Sequence, residues 1–337
     1  MRDFPRNLRT TCSLLVALLL PACAIAPFAR GQAIRFDESA RRWTASDGGV
    51  FPYQAWLPAG TAPKAIVIGV HGLSGAVHDH QALAEKLRLS GYGFYGYELR
   101  GQGNDPVKER VGDIQGPRIW QHDLWAFHKL VAAKHPNVPI LWLGESLGSL
   151  IVCGAAVRAP HDTSTPDGLI LASPIPAFDD RVSIWHRQLL GVAALADPTK
   201  KIPLSQWTGP DALPMTANTQ HLEQLDHTPW AVPAFTVRFY NVVSILVGRM
   251  MPQARRIQQP VLVLRAAKDV FASGQAVQEF AKKLPRGRLT IYPASHHLLF
   301  YDIERDNVSR DIIAWLESKP WIAEFTPAAP SKPQSGG

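Results

Sequence analysis

Gly144-Glu145-Ser146-Leu147-Gly148 follows the apolar run Pro139-Ile140-Leu141-Trp142-Leu143 and opens a stretch, Leu147 to Arg158, with the composition of a helix. A strand, a sharp turn and a helix in this order form a nucleophile elbow. The turn lifts the serine hydroxyl clear of the sheet, and glycines two before and two after it remove side chains that would collide with neighbouring backbone. The positive end of the following helix then faces any oxyanion that develops beside the serine.

Working outward, Ala65-Ile66-Val67-Ile68-Gly69-Val70 runs into His71-Gly72-Leu73-Ser74-Gly75, and Gly93 to Leu99 runs into Arg100-Gly101-Gln102-Gly103. Short apolar runs at 65–70, 93–99, 139–145, 168–173, 260–265 and 288–292 alternate with helical stretches at 81–89, 118–134, 147–158, 275–284 and 307–317. This alternation predicts an α/β domain with a mostly parallel central sheet and helices on both faces. Arg42 to Leu57, with Asp47-Gly48-Gly49 between alternating segments, predicts an antiparallel hairpin at the sheet edge.

A serine hydroxyl near neutral pH needs a base within hydrogen-bond reach, itself oriented by a carboxylate. Val261-Leu262-Val263-Leu264 leads through Lys268 to Asp269, and after the next apolar run comes Tyr292-Pro293-Ala294-Ser295-His296-His297. Serine, then acid, then histidine is a known triad order. Spacing alone leaves His296 and His297 open as the base, and Asp302 stands as an alternative acid to Asp269. Backbone N–H groups of Leu73 and Leu147 are the expected oxyanion donors, with His71 ordering its loop.

Together these stretches, over roughly Arg42 to Leu316, resemble the α/β-hydrolase superfamily, in particular its monoacylglycerol lipase, lysophospholipase and serine aminopeptidase-like branch. The resemblance implies a serine ester hydrolase that forms an acyl-enzyme on a lipid-like carboxylic ester, with no cofactor and no metal. Acyl transfer or peptide hydrolysis by the same serine, or a non-catalytic envelope lipoprotein that keeps the fold, are the alternatives. The ending YPGxxHxxxxE of that branch aligns on Tyr292 to His297, with Asp302 in place of the glutamate, and favours His297 as base. Its DxRGxGxS loop reads Glu98-Leu99-Arg100-Gly101-Gln102-Gly103-Asn104 here, with glutamate and asparagine in place of aspartate and serine. The regular alternation stops between Pro174 and Pro260, where prolines, Trp185, Trp207, Trp230 and helical patterns at Val182 to Leu195 and Val237 to Met250 occur. By its position this insertion, residues 175–259, resembles the lid of the branch. The core is then 42–174 and 260–325.

The 337 residues are 46% hydrophobic and 19% charged, ordinary globular composition for one large domain with an insertion. The net charge of +7 is spread along the chain without a long basic run, which gives no support to nucleic-acid binding. Arginines, the apolar stretch Cys12 to Leu20 and the small residues Ala22-Cys23-Ala24-Ile25-Ala26 form an export signal, too short to span a bilayer. Leu20-Pro21-Ala22-Cys23 resembles a lipobox that would lipidate Cys23 and tether the protein to a membrane of the cell envelope. Ala24-Ile25-Ala26 fits ordinary signal cleavage and release to the periplasm or medium. Residues 1–23 are thus read as signal, 24–41 as linker and 326–337 as a disordered tail. Cys153, two helical turns beyond Ser146, is expected to be a small buried hydrophobe. His78-Asp79-His80 carries metal-ligand residue types, but no second cluster completes a tetrahedral set, and Asp79 reads as a helix N-cap.

Overall fold

The computed structural model describes residues 32–159, 165–179, 196–204, 206, 214–218 and 228–322. The signal segment with Cys23, the pattern Val182 to Leu195, Trp185, Trp207 and the tail Thr326 to Gly337 lie outside them. The main sheet has nine strands in the order β1-β2-β3-β5-β4-β6-β7-β10-β11. These are β1 (Arg35–Asp37), β2 (Arg42–Thr44), β3 (Val50–Trp56), β4 (Ile66–Val70), β5 (Gly93–Tyr97), β6 (Ile140–Glu145), β7 (Gly168–Ala172), β10 (Val261–Ala266) and β11 (Gly287–Tyr292). From β5 to β11 neighbouring strands are parallel, whereas β1 to β3 add an antiparallel edge. The hairpin expected around Asp47-Gly48-Gly49 is β2 and β3.

Strands β4, β5, β6 and β7 are buried at every residue, as their unbroken apolar runs require when both faces of a parallel sheet are covered. Alternate residues serve opposite layers. Trp142, Leu169, Leu171, Val261 and Val263 join the core that includes Leu124 and Phe127 of α2 (Pro117–Lys134) and Ile151 of α3 (Leu147–Val157). Leu141, Leu143, Ile170, Leu262 and Leu264 face the core formed with Leu83 and Leu87 of α1 (Gln81–Leu89) and Ile312 and Trp315 of the C-terminal helix Arg305–Glu317. Cys153 is fully buried in the first of these layers, and burial pushes its thiol upward, away from thiolate chemistry.

Three expectations are corrected. Residues 35–37, read as linker, form strand β1, because Phe36 packs on Tyr53 (4.7 Å between ring centroids) and edge-on to Phe127 (5.5 Å). The second helical pattern of the supposed lid is α4 (Val237–Gln253), and it belongs to the core layer. Phe239, Val242, Leu246 and Met250 recur at helical spacing, are buried, and pack with α2 and α3, Phe239 edge-on to Trp120. It is followed by α5 (Gly274–Lys283) and then α6, the helix Arg305–Glu317 already described. Just before α4, β9 (Ala234–Thr236) pairs with β8 (Lys201–Pro203) as a separate two-stranded sheet. Finally, Asp79 does not cap α1. It sits inside a 3₁₀ turn, Val77–His80, and its carboxylate accepts from the Ala76 N–H (2.8 Å) and the Tyr301 hydroxyl (2.7 Å). Among the described residues no group of three or more His, Cys, Asp or Glu is placed to hold a metal, and His78 packs on the Trp230 ring at 5.3 Å.

The loop after β5 is clamped by Arg100. Its guanidinium donates to Asp123 of α2 (2.6 and 3.0 Å) and to Asp47 of the hairpin (2.6 and 2.8 Å), and it lies over the Phe51 ring at 4.6 Å. Arg100 and Asp123 are both buried, and removing one partner of such a pair strands the other. Arg100→Met is therefore expected to lower unfolding stability by about 3–5 kcal/mol, read as the shift in urea midpoint at unchanged slope.

Candidate active site

Strand order reverses at β4, which lies between β5 and β6, so the loops leaving β4 and β6 open a crevice at the carboxyl ends of the strands. Ser146 stands there between β6 and α3, with φ 51° and ψ −113°, a backbone conformation that few non-glycine residues adopt. Its N–H donates to the Ala172 carbonyl of β7 at 2.9 Å, which holds the turn. A Cβ on Gly148 would run into the carbonyl of Val70, and one on Gly144 into the backbone of Gly148 and Ser149, so both glycines are needed for α3 to approach this closely.

The Ser146 hydroxyl lies 2.8 Å from His297 Nε2, and His297 Nδ1 lies 2.8 Å from Asp269 Oδ2. Asp269 is held in turn by the N–H groups of Phe271 (2.8 Å) and Ala272 (3.3 Å), which donate to its other oxygen. The helix after it is capped by Ser273, whose hydroxyl accepts from Ala276, so Asp269 is left to the histidine. His296 turns away to Asp302, with Nδ1 at 3.1 Å from Oδ2, and Asp302 also accepts from the amides of Ala217 and Ile303, both at 2.9 Å. The pair left open by spacing, His296 with Asp302, is thus a separate structural contact.

His297 is 3% exposed. Burial disfavours its charged form, but the Asp269 carboxylate, by charge and hydrogen bond, outweighs burial and raises its pKa above the ordinary imidazole value. The reciprocal attraction holds Asp269 below the usual carboxylate range despite its own burial. His71, also buried, has no such carboxylate hydrogen bond, and burial drives it down to about 3. Its rings are committed to structure: Nδ1 donates to the Gly72 carbonyl (2.9 Å) and Nε2 accepts from Leu99 (3.1 Å), tying the loop after β4 to the loop after β5.

That tie continues through Gln102, whose side-chain oxygen accepts from the Ser74 amide at 2.8 Å. Glu98 and Asn104, which depart from the pattern DxRGxGxS, bond each other at 3.1 Å, and Glu98 also accepts from Val77 through the same oxygen. A Cβ on Gly72 would sit 3.5 Å from the Ser146 Cβ, which places the Gly72-Leu73 backbone against the serine. Among the described residues neither the Leu73 nor the Leu147 amide donates to a backbone or side-chain acceptor. Leu147, as first residue of α3, has no acceptor within its own helix.

Ser173 escaped the sequence reading. At the end of β7, with φ 45°, it donates its hydroxyl to the His297 carbonyl at 2.6 Å and fixes the backbone of the histidine loop. Phe271 stands edge-on to the His297 ring at 4.9 Å. No local pattern marks either residue, since each acts on a partner more than twenty positions away.

Residues 61–304 match the serine aminopeptidase, S33, family model, and the chain belongs to that family. It is a lipase-like serine hydrolase with the α/β-hydrolase fold. It is 26% identical over 291 residues to the monoacylglycerol lipase of Mycolicibacterium smegmatis, covering 80% of this chain and 94% of that one. To the monoglyceride lipase of Rattus norvegicus it is 24% identical over 287 residues, covering 82% and 90%. Among solved structures it superposes on a soluble variant of monoglyceride lipase from Saccharomyces cerevisiae, in complex with a substrate analog, with a TM-score of 0.73 at 20% identity, covering 87% and 98%.

If His297 must be neutral to accept the serine proton, its raised pKa sets the acid limb of the pH profile. Ester turnover, measured as kcat/KM, is expected to fall as pH drops through a midpoint above about 6.5, and Asp269→Asn is expected to move that midpoint down.

Proposed function

We propose that this protein hydrolyses a lipid-like carboxylic ester, of the monoacylglycerol or lysophospholipid class, through an acyl-enzyme on Ser146. The observation that carries the reading is the unbroken hydrogen-bond chain from Ser146 through His297 to Asp269 at a strained elbow. The names of the relatives support the choice of ester class.

His297 Nε2 takes the Ser146 proton as Oγ attacks the ester carbonyl carbon, and the carbonyl π electrons move onto oxygen. The Leu73 and Leu147 amides are the donors we assign to that oxyanion, and the N-terminus of α3 adds its dipole. Collapse breaks the bond to the alcohol, which leaves with the proton held on His297. A water molecule then gives a proton to His297 as its oxygen attacks the acyl carbon, and collapse of this second intermediate breaks the bond to Ser146 Oγ, which takes the proton back from His297 as the acid leaves. Asp269 keeps the Nδ1–H tautomer and offsets the imidazolium charge throughout.

The decisive experiment combines fluorophosphonate labelling, read by intact mass, with turnover of a monoacylglycerol, a short acyl ester and a dipeptide amide. Wild type is expected to gain one adduct and to prefer the acyl esters. Ser146→Ala is expected to remain folded, gain no adduct and lose turnover by roughly 10⁶-fold. Retained turnover in that variant overturns the assignment, and preference for the dipeptide amide transfers it to peptide hydrolysis.

We also propose export with lipidation of Cys23, on the apolar stretch and small residues around that cysteine. Membrane association of the full chain in its native host is expected to be lost in Cys23→Ser, read by fractionation. Unchanged fractionation leaves ordinary signal cleavage as the better reading.

A further inference from the structure

Beside the elbow lies a group of buried ionisable side chains that the mechanism above does not use. Glu145, the residue before Ser146, is 2% exposed. Among the described residues its Oε1 has no hydrogen-bond partner, and its Oε2 lies 3.5 Å from His80 Nε2, beyond ordinary hydrogen-bond length. His80, on the 3₁₀ turn after the Leu73 loop, is fully buried with neither ring nitrogen hydrogen-bonded, and its ring is wedged edge-on between Phe94 and Phe300 at 5.6 Å from each.

The other members of the group are tied to neighbouring residues, although Glu98 Oε2, 3.6 Å from His71 Nε2, is also without a hydrogen bond among the described residues. Asp79 accepts from Ala76 and Tyr301, Glu98 accepts from Val77 and Asn104 through one oxygen, and His71 is held by Gly72 and Leu99. Burial pushes Glu98 up to about 7 and Asp79 upward too, Glu145 adding to the latter shift. The groups facing Glu145 are therefore His80 and Asp79 from the 3₁₀ turn and Tyr301 from the turn before α6, with Glu98 and His71 beyond them. Asp269 touches His297 directly, and Glu145 adjoins the Ser146 that His297 bonds at 2.8 Å, so its charge adds to the upward push on the imidazole.

A carboxylate placed in the interior with one long contact is costly, and in a medium of low polarity its field acts over several ångströms. The cation that forms in its range during turnover is the imidazolium of His297. We propose that Glu145 is a positioning residue for the reaction. Its carboxylate, buried one residue before the nucleophile and packed against His80, stabilises the His297 imidazolium through space while Asp269 does so by direct contact. The inference rests on the reading of Ser146 as nucleophile and His297 as base.

The test is the pH dependence of fluorophosphonate labelling rate and of ester kcat/KM in wild type, Glu145→Gln and Glu145→Asp. Loss of the negative charge makes the imidazolium less stable, so the base stays neutral to lower pH. In Glu145→Gln the acid limb is expected to move down by about one pH unit, with plateau kcat/KM lower by about tenfold. Glu145→Asp, which keeps the charge, is expected to hold the wild-type limb. Should Glu145→Gln not fold, Glu145→Met removes the carboxylate without burying an amide and is read in the same way. An unmoved acid limb in the folded variant overturns the proposal, even with reduced kcat, because a structural role would alter the rate and not the midpoint. Failure of the wild type itself to label overturns the underlying reading of Ser146 instead.

Discussion

The backbone of Ser146 is the constraint on which the rest depends. A non-glycine residue at φ 51° and ψ −113° costs about 1–3 kcal/mol and persists only where its surroundings over-determine it. Here the surroundings do so from three sides. Ala172 of β7 accepts the Ser146 amide, Ser149 closes the first turn of α3 on the Ser146 carbonyl, and the Gly148 backbone is pressed against the end of β4. Helix α3 is buried along nearly its whole length, so its packing offsets the local strain. A serine on a relaxed turn would follow the sheet surface and lie out of reach of a histidine borne on the loop after β11.

The same burial that fixes the elbow divides the histidines. His71 and His297 both lie in the interior, yet one is driven well below its ordinary pKa and the other is raised. The main difference is a carboxylate hydrogen bond, which His297 makes to Asp269 and His71, with Glu98 Oε2 at 3.6 Å, does not. Asp269 is itself oriented by two backbone amides, so the charge that favours protonation of His297 is held rigidly in place. The neighbouring His296 finds a different acid, Asp302, and turns away. Adjacent residues on one loop thereby acquire unrelated environments, which is a general consequence of successive side chains leaving the backbone in different directions.

Much of the fold was legible because its signals are local. Apolar runs of five or six residues between amphipathic stretches located β4, β5, β6, β7, β10 and β11 to within a residue or two, and α1 at its observed ends. The misreadings share one cause. Arg35–Asp37 looks like spacer, since a three-residue strand has no periodicity to detect and gains its place from Phe36 meeting aromatic rings of β3, β5 and α2. Helix α4 has a clear helical pattern, but whether its apolar face covers the serine or the sheet depends on which partner it meets. It meets α2 and α3. Asp79 has the residue type of a cap, and a hydroxyl more than two hundred positions away completes its bonding.

By itself the sequence determined the parallel α/β core, the elbow at Ser146 and the order serine, acid, histidine, because strand and helix periodicity and the glycine spacing of the turn are properties of a few consecutive residues. Only the tertiary structure decided that His297 rather than His296 touches Ser146, that Asp269 rather than Asp302 is its partner, and that Ser173 anchors its carbonyl. It also decided that Glu145 lies buried against His80 with an oxygen left unpaired. Most of these contacts join segments that follow different strands of the sheet. Distances of that kind follow from how layers pack, and no spacing along the chain encodes them.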